Sequence, residues 1–182
     1  MLAGIVPMKR PSYIVNQSES PRRTAKIIST GEPLAAVADL SGPAGLCQLR
    51  IQHEILPPGH RSSSPHAHTH REEFVYVLEG EPDAWIDGEL YPLRRGDTIA
   101  LCAGTGIAHS IINNSKREVH ILAIASSPEQ DGCYFPLSGI RDNVPDEIAI
   151  AWAGRLRGAH DGRARAVDPA EADVDSSPIE HE

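Results

Sequence analysis

Residues 26–126 are cut by Gly, Pro, Asp or Asn at intervals of roughly 8 to 12 residues, and the stretches between the cuts are short and rich in β-formers. This punctuation constrains the fold more than any other feature, because segments of that length bury an apolar face only by stacking on one another as strands. An all-β sandwich or barrel follows. Residues 46–56 alternate most regularly, with Cys47, Leu49, Ile51, His53 and Ile55 set against Gln48, Arg50, Gln52 and Glu54. That alternation predicts one buried and one wet face, with His53 on the buried, inward side. Residues 73–79 are apolar on both faces through Phe74, Val75, Tyr76, Val77 and Leu78, the pattern of a strand held between layers. Asp87-Gly88 separates the runs 84–86 and 89–93 as a two-residue type I′ hairpin signal. Runs at 98–102, 109–113 and 119–125 complete the predicted strands.

Outside this block the pattern changes. Residues 1–25 mix Pro, Ser, Asn and Arg without periodicity and read as an arm; residues 26–137 form the barrel; residues 138–182 hold a short helix and an acidic tail. Within the last part of the chain, 128–145 reads as loop, 146–156 as one helix, and 158–182 as a disordered tail with no buried face. No internal repeat is present, so one barrel is expected rather than a fused pair.

The charge balance narrows the partners. Lys and Arg total 17 against 25 Asp and Glu, a net charge of −8, and the two Phe, two Trp and four Tyr are too few to build base-stacking platforms. A nucleic-acid partner is therefore not expected. No apolar run approaches the ~18 residues of a membrane-spanning helix, and the apolar start lacks the basic n-region of a secretory signal. A cytoplasmic protein without a membrane partner is expected, with Cys47, Cys102 and Cys133 reduced and packed as small buried residues.

Four of the nine histidines, His60, His66, His68 and His70, fall in one short stretch. A spacing of two on a strand turns His66 and His68 to the same face. Residues 69–72 are polar enough to turn and reset the face taken by Glu73, so two imidazoles and a carboxylate can converge. His109, at the start of a later strand, can supply a fourth ligand. Neutral imidazole with carboxylate oxygen suits one divalent first-row metal ion per chain, whether Fe, Mn, Zn or Ni. Proton competition then predicts loss of metal as pH falls through roughly 6 to 7. His53 is the one candidate for a catalytic acid–base group beyond the metal ligands.

The segment PHAHTHREEFVYVLEG resembles the first motif of the cupin superfamily, H-x-H-x(4)-E-x(6)-G, with His66, His68, Glu73 and Gly80 in its positions. GDTIALCAGTGIAHSIIN resembles the second motif through Gly96, Gly104, His109 and Asn113. It departs from that motif by Cys102 in place of proline and by two extra residues before His109. The frame of the first motif leaves His70 outside the ligand set as a turn residue. The GTGIAH wording is similar to a group of single-domain cupins with no settled activity. The resemblance implies a double-stranded β-helix, jelly-roll-like barrel with the metal inside and a homodimer formed through barrel faces, for which Phe74, Tyr76 and Leu78 offer an apolar patch. It also implies an oxygenase-like or isomerase-like enzyme acting on a small polar molecule, or alternatively a noncatalytic module that binds or senses such a ligand.

Overall fold

The computed structural model describes residues 10–165. Twelve strands and one helix follow in order: β1 (Arg22–Lys26), β2 (Pro33–Asp39), β3 (Leu49–Leu56), β4 (Ala67–His68), β5 (Glu73–Glu79), β6 (Asp83–Ile86), β7 (Glu89–Pro92), β8 (Thr98–Leu101), β9 (His109–Ile112), β10 (Val119–Ser126), β11 (Cys133–Phe135), β12 (Ile140–Asp142) and α1 (Asp146–Ala153). The strands pair in the orders β1-β2-β3-β10-β5-β8, β7-β6-β9 and β12-β11-β4. Every pairing is antiparallel. The barrel expected from the punctuation is the observed architecture.

Side chains from two sheets form its core. Leu56, Val75, Val77 and Ile121 of the large sheet meet Ala84 and Ile111 of β6 and β9, so these sheets pack face to face. The opposite face of β6 and β9 carries Trp85 and Ile112, which join Ala67, Tyr134, Ala149 and Trp152 in a second core beneath α1. Asp87 and Gly88 connect β6 to β7 with φ of 47° and 95°, the two positive angles that a type I′ turn requires.

Four expectations are corrected. Residues 128–145 are not simply loop, because they hold β11 and β12, three-residue strands too short to show alternation. The expected arm contains β1, whose side chains are all exposed and therefore leave no apolar signature. The outer face of β5 is not held between layers: Phe74 and Tyr76 are exposed.

The fourth correction concerns the tail. Residues 158–165 pack on the barrel; the remainder, 166–182, lies outside the described residues. The amides of Arg157 and Gly158 donate to the Asp87 carbonyl, His160 N donates to Gly88 O, and the Trp85 indole donates to His160 O at 2.9 Å. Arg61 donates to the Gly162 carbonyl from a buried side chain. Contacts made through backbone carry no hydrophobic period, which is why the pattern of 158–165 reads as featureless. Gly88 and Gly158 lie back to back so closely that a Cβ on Gly158 would sit 2.0 Å from Gly88 O.

Candidate metal centre

Three imidazoles and one carboxylate converge at one end of the barrel. His66 lies directly opposite His109 in an antiparallel bridge, with His109 N donating to His66 O at 2.9 Å and His66 N to His109 O at 3.2 Å. His68 follows on β4, paired with Cys133 of β11. Glu73 opens β5 on the inward face shared with Val75 and Val77, opposite Ala125 of β10 and Leu101 of β8. Residues 69–72 make the turn that brings this carboxylate round to the histidines, as the sequence suggested.

The Nε2 atoms of His109, His68 and His66 lie 2.7, 3.7 and 3.9 Å from the nearer Glu73 oxygen. Each Nδ1 is turned away toward an acceptor. That of His66 lies 2.9 Å from Ser64 O, that of His109 3.4 Å from Ile107 O, and that of His68 2.7 Å from Asp131 Oδ2. With Nδ1 turned outward, Nε2 is the ring nitrogen that each histidine presents to the carboxylate, the geometry a metal-binding histidine uses, and without an ion His109 Nε2 is hydrogen-bonded to Glu73 Oε2. One ligand atom each from His66, Glu73 and His109 fit within a 4.8 Å span. The donor set therefore fits a first-row divalent ion.

The electrostatics agree with that fit. Burial, with the neighbouring charge of His109, lowers the His66 imidazole to about 4, and burial also lowers His68 against the opposing pull of Glu73 and Asp131. Burial alone would raise the Glu73 carboxyl; the hydrogen bond and charge of His109, with His66 and His68, outweigh it and hold Glu73 at about 2. Imidazoles that resist protonation beside a carboxylate that stays ionised are the protonation states a cation needs.

His70 is exposed and turns its Nδ1 to Thr69 Oγ1 at 2.8 Å, away from the cluster. Asn113 is fully buried and structural: its side-chain nitrogen donates to Leu56 O and Arg117 O. Tyr76 lies on the outer face. Cys47 and Cys102 are exposed rather than buried, whereas Cys133 is half-buried and groups with His66 and His68 as a third possible ligand. Burial and the charges of Asp131 and Glu73 push its thiol up to about 12, so without an ion it stays protonated.

His53 is not on the cavity face. It pairs across β3 with Ala38 and Leu122, lies 2.7 Å from Arg22 Nη2 and 3.3 Å from His120 Nδ1, and is buried on the outer side of the sheet. The inward face of β3 is instead Arg50, Gln52 and Glu54, which with His66, Glu73 and His109 line a cavity of about 870 Å3. The reversal has a physical reason. Alternation identifies the apolar face, and that face points inward only where the interior is dry; here it is a polar cavity. Sequence reading thus passed over Glu54, Asp131 and Cys133. The Glu54 parity was visible but assigned to solvent, while Asp131 and Cys133 sit in a stretch without period.

The loop that lengthens the second motif also has a role. Gly106 has φ of 69°, and a Cβ there would lie 2.3 Å from Cδ1 of Trp152, so the loop is the seat on which α1 rests.

Asp131 also accepts from the amides of His70 and Arg71 at 3.1 and 3.3 Å, which fixes its carboxylate behind His68. Replacing such an orienting carboxylate typically lowers metal affinity ~10 to 100-fold. Asp131→Asn is expected to lose affinity in that range in a competition titration with a chelator, while retaining the stoichiometry of the wild type. An unchanged dissociation constant would remove Asp131 from the site.

Comparison with known proteins agrees with the fold. The family model described as "Cupin domain" matches residues 52–125. A curated relative, "Polyketide synthase CurC" of Streptomyces cyaneus, is 37% identical over 86 residues, covering 47% of this chain and 51% of that protein. The chain thus spans about half the length of that relative. A putative sugar phosphate isomerase from Acidithiobacillus ferrooxidans is similar in structure, with a TM-score of 0.64 at 24% identity over 71% of this chain and 85% of the other. So is the polyketide cyclase RemF from Streptomyces resistomycificus, with a TM-score of 0.52 at 19% identity over 82% of this chain and 98% of the other.

Proposed function

The chain contains a small cupin-type domain, and from that premise we propose that it is a metal-dependent enzyme with isomerase-like chemistry, acting on a carbonyl-bearing, oxygen-rich molecule of polyketide-like size. One observation carries the reading: three imidazoles turn their Nε2 atoms on Glu73 at the wall of a large cavity. His66, His68, Glu73 and His109 would hold one divalent ion, which when bound supplies a Lewis acid that polarises a carbonyl.

The cavity of about 870 Å3 is at the upper end of the ~300 to 1,000 Å3 of ligand pockets and exceeds what a small polar molecule fills. Its lining is mixed: Val37, Ile111 and Phe135 give apolar walls, and Arg23, Arg50 and Arg71 give cationic donors for substrate oxygens. Isomerisation of a hydroxy-carbonyl compound and ring closure of a poly-carbonyl chain share one elementary step, removal of a proton from the carbon beside a carbonyl. The similarity to an isomerase and to polyketide proteins supports that class, and a carboxyl in the cavity besides Asp39 and Glu73, that of Glu54, favours it over oxygenase-like chemistry.

The test is metal analysis of untagged protein followed by hydrogen exchange of a β-keto ester, ethyl 2-methylacetoacetate, in D2O without dioxygen. Metal-dependent exchange above that of His109→Ala is expected. Binding of the ester without exchange would favour the noncatalytic sensing module, and a requirement for dioxygen would favour an oxygenase. Assembly as a homodimer through the exposed Phe74 and Tyr76 face belongs to the same reading, and sedimentation at micromolar concentration reads it. So does a reducing, cytoplasmic setting, which the free thiols of Cys47, Cys102 and Cys133 support. Among the described residues no helix is long and apolar enough to cross a membrane.

A further inference from the structure

Glu54 is a carboxyl in an unusual position. It stands on the inward face of β3 between Val37 of β2 and Ile121 of β10, and is only 7% exposed although it lines the cavity. Its Oε2 is buried without a hydrogen-bond partner. An unpartnered buried carboxyl oxygen forfeits the hydrogen bonds it makes in water, so a fold retains one where another demand outweighs that loss. The side chain faces the same cavity as Glu73, from the far side of β10.

We propose that Glu54 is the catalytic acid–base residue of this cavity, taking a proton from the carbon beside the substrate carbonyl and returning it. The proposal rests on the metal-dependent reading above. In the forward step the C–H bond breaks and an O–H bond forms on Glu54. The electron pair of the C–H bond becomes a carbon–carbon π bond, and the former carbonyl π pair comes to rest on the substrate oxygen. Delivery of a deuteron, taken up by Glu54 from solvent, to the same carbon gives exchange; delivery to the former carbonyl carbon of a hydroxy-carbonyl substrate, with the hydroxyl proton passing to the other oxygen as the new carbonyl forms, gives isomerisation. No oxidant or reductant enters either course.

The other titratable groups around the cavity are otherwise engaged. Asp39 accepts from the Ser41 hydroxyl and amide and from the Gly42 amide. Asp131 is committed to His68, Glu73 belongs to the metal ligands, and the Cys133 thiol stays protonated. Arg23, Arg50 and Arg71 are permanent cations. His53 faces the other side of the sheet. Burial pushes the Glu54 carboxyl up to about 7, with the Glu73 charge adding and Arg50 opposing, so near neutrality it serves as base and as acid alike.

The experiment compares the Mn(II)-loaded full chain with Glu54→Gln and Glu54→Asp, using ethyl 2-methylacetoacetate in D2O and subtracting the rate of His109→Ala. Metal content and melting temperature are measured on each protein. Glu54→Gln is expected to keep its metal and its fold and to lose exchange ~100-fold or more through kcat, with KM little changed, and Glu54→Asp to regain part of the rate. An infrared difference spectrum across neutral pH should lose a carboxyl C=O band in Glu54→Gln, a readout that does not depend on turnover. Exchange by Glu54→Gln at the wild-type rate would overturn the assignment and leave the metal-dependent reading standing. A wild type no faster than His109→Ala would instead remove that reading, and the role of Glu54 with it.

Discussion

Loading the protein with Mn(II), Fe(II), Ni(II) or Zn(II) is expected to raise its melting temperature by about 5 to 10 °C over the chelated form. The ligands come from segments that the unfolded chain does not hold together: His66 and His68 beside β4, Glu73 on β5 and His109 on β9. Binding is then largely confined to the folded state, and at a hundredfold excess over the dissociation constant such linkage stabilises by ~2.7 kcal/mol. In a domain of this size each kcal/mol moves the melting temperature by ~2 to 4 °C. His109→Ala should abolish most of the shift, and His70→Ala should keep it. The sign of the pH effect follows from burial. An imidazole whose folded value is lowered stays neutral to lower pH, so the lowered His66 and His68 delay proton competition below the ordinary 6.5, to a point nearer the 4 of His66. The metal-induced shift should therefore persist at about pH 5.5, lower than the sequence alone suggests. A melting temperature indifferent to metal and chelator would mean that the four residues do not form a site.

Removing residues 157–182 should be at least as damaging, although 158–182 read in sequence as a tail with no buried face. The cut takes away the acceptor of the Trp85 indole N–H and the Gly162 carbonyl that receives Arg61. With the tail in place Trp85 is 0% exposed and Arg61 5%, and after the cut Arg61 keeps Glu32 as a partner while Trp85 loses its cover. Losing the two hydrogen bonds costs roughly 1 kcal/mol for the indole and about 1.5 kcal/mol for the charged Arg61, and uncovering the Trp85 ring adds a further ~2 kcal/mol. The total, about 4 kcal/mol or more, is a large part of the ~5 to 15 kcal/mol that holds a domain together. Truncation after Leu156 should yield little soluble protein or a melting temperature at least ~10 °C lower, whereas truncation after Arg165 should melt near the full chain. Equal melting temperatures for the two truncations would show that 157–165 contributes nothing.

Much of the barrel was legible because its strands are long enough to show a period. Residues 73–79 match β5, and the Asp87-Gly88 turn has the expected angles. The histidine–glutamate cluster was legible for a different reason: metal-binding chemistry demands particular residue types at fixed spacing, and the side chains of His66, His68, Glu73 and His109 do lie together. What escaped has physical causes. β11 and β12 span three residues each, and the tail docks through carbonyls and amides that any residue carries. On β3 the period was right and its direction wrong, so His53 was placed where Glu54 stands.

Asp87 joins these parts. Its side chain accepts from Ala108 N at 2.9 Å, one residue before the proposed ligand His109, and its carbonyl receives Arg157 and Gly158 of the tail. Trp152 presses on Gly106 two residues earlier. The strand that presents His109 thus takes its bearing from the end of the described chain, more than forty positions away in the sequence. A disturbance there would reach the imidazole before it reached the barrel wall. On the proposed reading, ion affinity is the more sensitive gauge of damage to the tail, and a weakened chain would bind an ion less tightly while still folded.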